Sequence, residues 1–114
     1  MVSERYPKSV RLRRRSDFLD VQRHGRKHQT THLVVLYLER PGETWRVGIV
    51  VSKKVGGSVV RNKVKRWLRE VLRQTPTPSF SGDVVLIAKS TILNADVPTL
   101  RAEIAGALDR LSRT

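Results

Sequence analysis

Residues 45–73, WRVGIVVSKKVGGSVVRNKVKRWLREVLR, decide how the 114-residue chain folds. Their first part is apolar and β-branched, and predicts a strand over residues 45–52. The pair Gly56-Gly57 breaks that strand, and Ser58 is placed to cap a helix running to about Arg73. Pro76 and Pro78 keep the helix from continuing. On a 3.6-residue wheel Val60, Val64, Trp67, Leu68 and Val71 share one side, which predicts docking onto a sheet. Asn62, Lys65, Arg66, Arg69 and Arg73 gather opposite, with Arg61 and Lys63 on the two edges.

Outward from this core, residues 33–38 (LVVLYL) read as a second strand. The link Arg40-Pro41-Gly42-Glu43-Thr44 is short enough to predict an antiparallel hairpin with the strand that begins at Trp45. Residues 84–88 (VVLIA) read as a buried strand. Leu100, Ile104, Ala107, Leu108 and Leu111 recur at helical spacing over residues 97–112. Near the N-terminus, Ser16 reads as an N-cap, Asp17 and Asp20 suit the positive end of a helix, and Gly25 stops it. Phe18 and Val21 make its apolar side, while residues 3–15 read as extended or loosely ordered. The order is α-β-β-α-β-α with room for one further short strand: one α/β domain over residues 1–114, its helices packed on a small sheet.

Lys and Arg number 23 against 10 acids, a formal net charge of +13. Residues 1–30 and 53–73 carry all of that excess. On the second helix only Glu70 opposes the cations, so pairing between successive turns does not account for the face. Such charge favours a polyanion, with nucleic acid ahead of an anionic membrane surface. Arg side chains can grip phosphates in bidentate fashion, and Asn62 can donate to and accept from sugar or base edges. Lys53 and Lys54 extend the field, and amides at the glycine turn add an anion-binding tendency.

The chain has no Cys, which excludes disulfides, thiolate nucleophiles and cysteine-held metals. No apolar run reaches the length of a membrane span, and the first 30 residues lack a secretory pattern, so a cytoplasmic protein is expected. His24, His28 and His32 recur every four residues, but Gly25 interrupts any helix that would align them as metal ligands. Asp17 and Asp20 could share a magnesium ion, although acids at a helix N-terminus need no such reason. Neither a P-loop nor a Ser/His/Asp order appears.

The blocks RVGIVVSKKVG (46–56) and VRNKVKRWLRE (60–70) resemble the protein subunit of bacterial ribonuclease P. The Arg-Asn-Arg helix of that family appears here as Arg61-Asn62-Lys63. The likeness extends over nearly the whole chain, through Ser16-Asp17-Phe18, His24-Gly25 and residues 82–88. It implies a two-layer α/β sandwich with a small mixed sheet and a left-handed βαβ crossover, an exception to the usual handedness. It also implies a ribonucleoprotein that removes the 5′ leader from precursor tRNA, an endonuclease whose hydrolysis is performed by an RNA subunit with Mg2+.

The expected partners are therefore ribonuclease P RNA and the precursor tRNA 5′ leader, with no membrane and no obligatory protein partner. By resemblance Arg61, Asn62, Lys63, Lys65, Arg66, Arg69 and Arg73 face the catalytic RNA, and Lys53 and Lys54 contribute there or at the leader. Phe18 lines the leader cleft, where a ring stacks on any base, and Lys89 reaches the leader path. Apart from the resemblance, Tyr37 offers another ring, although a tyrosine in a strand more often serves packing. The resemblance places the catalytic groups in the RNA subunit, which mainly holds the Mg2+, so no catalytic or metal-ligating side chain is expected in this chain. Two positions depart from the family pattern: Lys63 lacks the planar fork of Arg, and Gln22 stands where a second aromatic is common. A structural RNA-binding protein without a processing role and a protein-only nuclease are the competing readings.

Overall fold

The computed structural model describes residues 11–12, 14–42, 45–74 and 81–112. The sequence readings for residues 3–10, Arg13, Glu43, Thr44, Pro76 and Pro78 lie outside them. The elements in chain order are α1 (Arg15–His24), β1 (Arg26–Gln29), β2 (Leu33–Glu39), β3 (Arg46–Val50), α2 (Ser58–Gln74), β4 (Gly82–Ala88) and α3 (Val97–Ser112), with a 3-10 turn at Ser90–Asn94. The further short strand is β1.

The four strands form one mixed sheet in the order β1-β2-β4-β3. The antiparallel hairpin expected between β2 and β3 does not form. β4 lies between them, antiparallel to β2 with Leu36 opposite Val85, and parallel to β3 with Gly48 opposite Val85. The reason is burial: six of the seven residues of β4 are buried, so the strand needs neighbours on both sides and a layer on both faces. The chain therefore leaves β3, crosses through α2 and returns as β4.

Side chains alternate across the sheet and build two cores. Leu33, Val35, Tyr37, Val47, Val84 and Leu86 face α2 and α3, meeting Val64, Leu68, Val71 and Leu72 from α2 and Leu100, Ile104 and Leu108 from α3. Leu36 and Val85 point the other way and meet Val21 of α1 and Leu12, with Phe18, Val34, Leu38, Val50 and Ile87 partly buried around them. α1 covers only part of that second face.

Helix ends depart from expectation in two places. Ser16 lies inside α1, whose N-cap is Arg14 with no side-chain cap bond. Ser58 is already helical, because the Gly57 carbonyl accepts the Arg61 amide at 2.9 Å. Gly25 ends α1 as expected, donating its amide to the Val21 carbonyl. α3 is capped by Asp96, whose Oδ1 accepts the Thr99 amide at 2.8 Å; the Thr99 bonds hold its carboxyl below the usual value.

Tyr37 is 3% exposed and packs in the core between the sheet and the two long helices. It rests on Gly82, where a Cβ would come within 2.5 Å of the ring, and its hydroxyl donates to the Ser81 carbonyl at 3.0 Å. Burial pushes that hydroxyl above its usual pKa, with the Glu39 charge adding to the effect. Tyr37 is thus a core ring, and the reading that offers it to a leader is corrected.

Candidate nucleic-acid interface

The helix α2 turns its apolar stripe to the sheet slightly differently from the wheel. Val64, Leu68 and Val71 are buried as expected, but Leu72 completes the stripe and Trp67 does not. Trp67 sits half-buried on one edge with the Lys63 ammonium 5.3 Å from its ring centre. Rotating the helix toward Leu72 draws a branched aliphatic into the core and leaves the larger indole at the rim. The expectation of Trp67 as a core residue is corrected accordingly.

Asn62, Lys63, Arg66, Arg69 and Arg73 are exposed, and the outward direction of α2 is cationic along its length. Arg73 forms an ion pair with Glu70 at 3.4 Å. Among the described residues Lys63, Arg66 and Arg69 have no carboxylate partner, so their charge faces solvent uncompensated. Arg61 lies half-buried at the base of the helix, and its Nε is buried without a hydrogen-bond partner among the described residues. Lys53 and Lys54 are exposed in the turn before α2, where Val55 is buried and donates its amide to the Ser52 carbonyl. The anchored valine leaves the two lysines pointing outward beside the helix start.

Lys65 is placed differently from the other cations of α2. It is half-buried and lines an open groove of about 460 Å³ together with Arg15, Phe18, Leu19 and Gln22 of α1 and Ile49, Val50 and Val51 at the end of β3. The groove has an apolar floor from β3, an aromatic and an amide on one wall, and a cation on each side. Phe18 and Gln22, one helical turn apart on α1, both line this groove. Lys89 does not line the groove: its Nζ donates to the Thr30 carbonyl at 2.6 Å and to Gln29 Oε1 at 3.3 Å, closing the β1–β2 turn.

Sequence reasoning did not identify Arg15, Leu19, Ile49, Val50 and Val51 as groove residues. The run Ile49-Val50-Val51, three apolar residues in succession where a strand leaves the sheet, was the available signal. It also missed Arg46, which reaches from β3 to Asp83 of β4 and to Asp17 of α1, 3.4 Å away. That link explains Asp17 better than a magnesium site does. Among the described residues no three His, Asp or Glu side chains gather as a metal site. Asp17 and Asp83 both face Arg46, and Glu103 takes the His32 amide and ring. Asp17, Asp83 and Glu103 are thus turned to Arg46 and His32 rather than toward a shared ion site.

No helix among the described residues is long and apolar enough to cross a membrane. An apolar floor flanked by cations suits single-stranded nucleic acid, with bases inward and phosphates at the rims. The outer face of α2 suits a structured polyanion.

Residues 6–112 match the family model described as Ribonuclease P. The chain is 40% identical over 113 residues to the ribonuclease P protein component of Geobacter sp. (strain M21), covering 99% of this chain and 97% of that protein. Its fold superposes on the RNase P protein from Thermotoga maritima with a TM-score of 0.72 at 34% identity, covering 91% of this chain and 96% of that one. The RNase P protein of Staphylococcus aureus gives a TM-score of 0.78 at 26% identity, over 90% and 94% of the two chains.

Proposed function

The chain belongs to the ribonuclease P protein family, and from that premise we propose a division of labour between its two cationic surfaces. The family membership makes it the protein component of an endoribonuclease that acts in tRNA 5′ maturation, with ribonuclease P RNA as its partner. In our reading the outer face of α2, with Asn62, Lys63, Arg66 and Arg69, docks on that RNA, aided by Lys53 and Lys54. The groove under α1 holds the single-stranded 5′ leader, and Lys65 belongs to this second surface.

The observation that carries the reading is the meeting of Phe18, Gln22 and Lys65 around one groove, from helices distant in sequence. Phe18 offers a ring for a base, and Gln22 offers an amide to a base edge. Arg15 and Lys65 offer charge to phosphates on opposite rims. A precursor held this way gains affinity that the leaderless product lacks. The positive field also lowers repulsion between RNA strands, so that the RNA subunit, using Mg2+ that it holds itself, meets a positioned substrate. A cytoplasmic site of action accords with this partner.

The test is the affinity of the reconstituted holoenzyme for precursor and mature tRNA. The protein should strengthen binding of the precursor more than that of the mature form. Equal strengthening of both would overturn the groove reading. Cleavage of RNA with magnesium and no RNA subunit would instead favour a protein-only nuclease.

A further inference from the structure

Gly48 lies in the interior of β3, paired with Val85 of the central strand. Glycine weakens a strand interior because it brings no side chain to pack, so something must offset that cost. Its backbone does not require glycine, since Gly48 is not among the positive-φ residues. The reason is a neighbour. A Cβ at this position would lie 2.4 Å from Cε1 and 2.5 Å from Cζ of Phe18, and 3.1 Å from Cβ of Leu12. Carbon atoms in good contact stand about 3.5–4.0 Å apart. The Phe18 ring thus rests directly on bare backbone.

We infer that Gly48 is a positioning residue of the groove: its missing side chain is the seat that sets how deep the Phe18 ring lies against the sheet. The inference rests on the leader-binding reading above. Two residues earlier on the same strand, Arg46 reaches Asp17 of α1. β3 therefore fixes α1 through an ion pair at its start and receives the ring of the same helix at Gly48. A methyl group at position 48 meets the far end of the Phe18 side chain most closely and the Leu12 Cβ at 3.1 Å, while its own Cα is held in the β3–β4 ladder. The ring yields rather than the strand, and it moves into the groove that Phe18 lines with Arg15, Leu19 and Gln22.

The experiment compares three variants in holoenzyme reconstituted with ribonuclease P RNA: Gly48→Ala, Phe18→Ala and the two combined. Affinity is read for precursor tRNA with a leader, for leaderless tRNA and for the RNA subunit. Gly48→Ala should weaken leader-bearing substrate about tenfold, the scale of one base stack removed. It should leave leaderless tRNA and RNA-subunit affinity unchanged. In the Phe18→Ala background it should cause no further loss, because the ring it displaces is gone.

If Phe18→Ala weakens leader binding while Gly48→Ala does not, the seat is overturned and the groove reading stands. Independent, multiplying losses in the double variant also overturn the seat. If Phe18→Ala has no effect, the groove reading fails and the seat fails with it. Should Gly48→Ala alone not fold, recovery of folding in the double variant supports the seat, and continued failure overturns it.

Discussion

Arg46 and Asp83 face each other across the parallel strands β3 and β4 as a two-pronged ion pair, Nε to Oδ1 at 2.9 Å and Nη2 to Oδ2 at 2.8 Å. Asp83 is 0% exposed, whereas the Arg46 side chain keeps 28% of its surface. The guanidinium also reaches Asp17, so one side chain joins two strands and a helix. Its value is highest as a constraint on position, because desolvating the aspartate offsets much of the attraction.

Arg46→Met should lower unfolding free energy by about 3 kcal/mol, because it strands a buried carboxylate. Arg40, 3.5 Å from Asp83, keeps the loss near the lower end of the range for such pairs. Asp83→Asn should cost less, since the freed guanidinium can reach water. Urea denaturation of the three proteins checks the order, and equal losses would contradict it.

On α2, replacing Arg66 and Arg69 together by Ala should weaken RNA-subunit binding and flatten its salt dependence. Each phosphate left without its cation lowers the slope of log affinity against log salt by about 0.7–0.9. Arg73→Ala should change the slope less, because Glu70 already shares its charge. Binding titrations at several salt concentrations measure the slopes directly.

Lys65→Ala should weaken leader-bearing precursor more than it weakens RNA-subunit assembly, the reverse of Arg66→Ala. Tyr37→Phe should leave leader affinity unchanged while costing about 1 kcal/mol of stability through the absent bond to Ser81. Measuring precursor affinity and thermal unfolding on the same preparations separates the two effects. A leader-binding defect in Tyr37→Phe would place that ring in the groove after all.

The sequence reading recovered α3 to its ends, because five apolar residues repeat there at helical spacing and tertiary neighbours simply receive them. It failed at the β2–β3 pairing, since a short link is compatible with a hairpin whether or not another strand intervenes. The apolar continuity of β4 was the better guide: a strand buried on both faces has to lie inside a sheet. Phe18 and Gln22 were legible through resemblance to a known family. Ile49, Val50 and Lys65 join them only because β4 displaces β3 to the edge, beside α1, and no spacing along the chain encodes that. Trp67 and Leu72 compete for one stripe, and composition alone favours the larger ring.

Glu103 on α3 supplies a pH test. Burial pushes its carboxyl up, but hydrogen bonds from the Thr30 hydroxyl and from the His32 ring and amide outweigh this and hold it below its usual 4.5. A carboxyl lowered in the folded state adds stability that is fully present above the unfolded value. That stability is lost as pH falls through the folded one. Glu103→Gln should therefore lower stability at pH 6 and narrow the gap to the parent protein as pH drops below about 4.5. Urea midpoints from pH 6 to pH 3 measure this; an unchanging gap would mean that the carboxylate form contributes nothing.

The sheet carries an aromatic ring on bare glycine on each of its faces, Tyr37 on Gly82 and Phe18 on Gly48. Tyr37 has a hydroxyl latched to a carbonyl, so its ring is clamped at both ends. Phenylalanine has no such handle and is kept in place by shape alone. The same architectural notch thus holds a ring latched at its far end on one face and a ring seated by contact alone on the other.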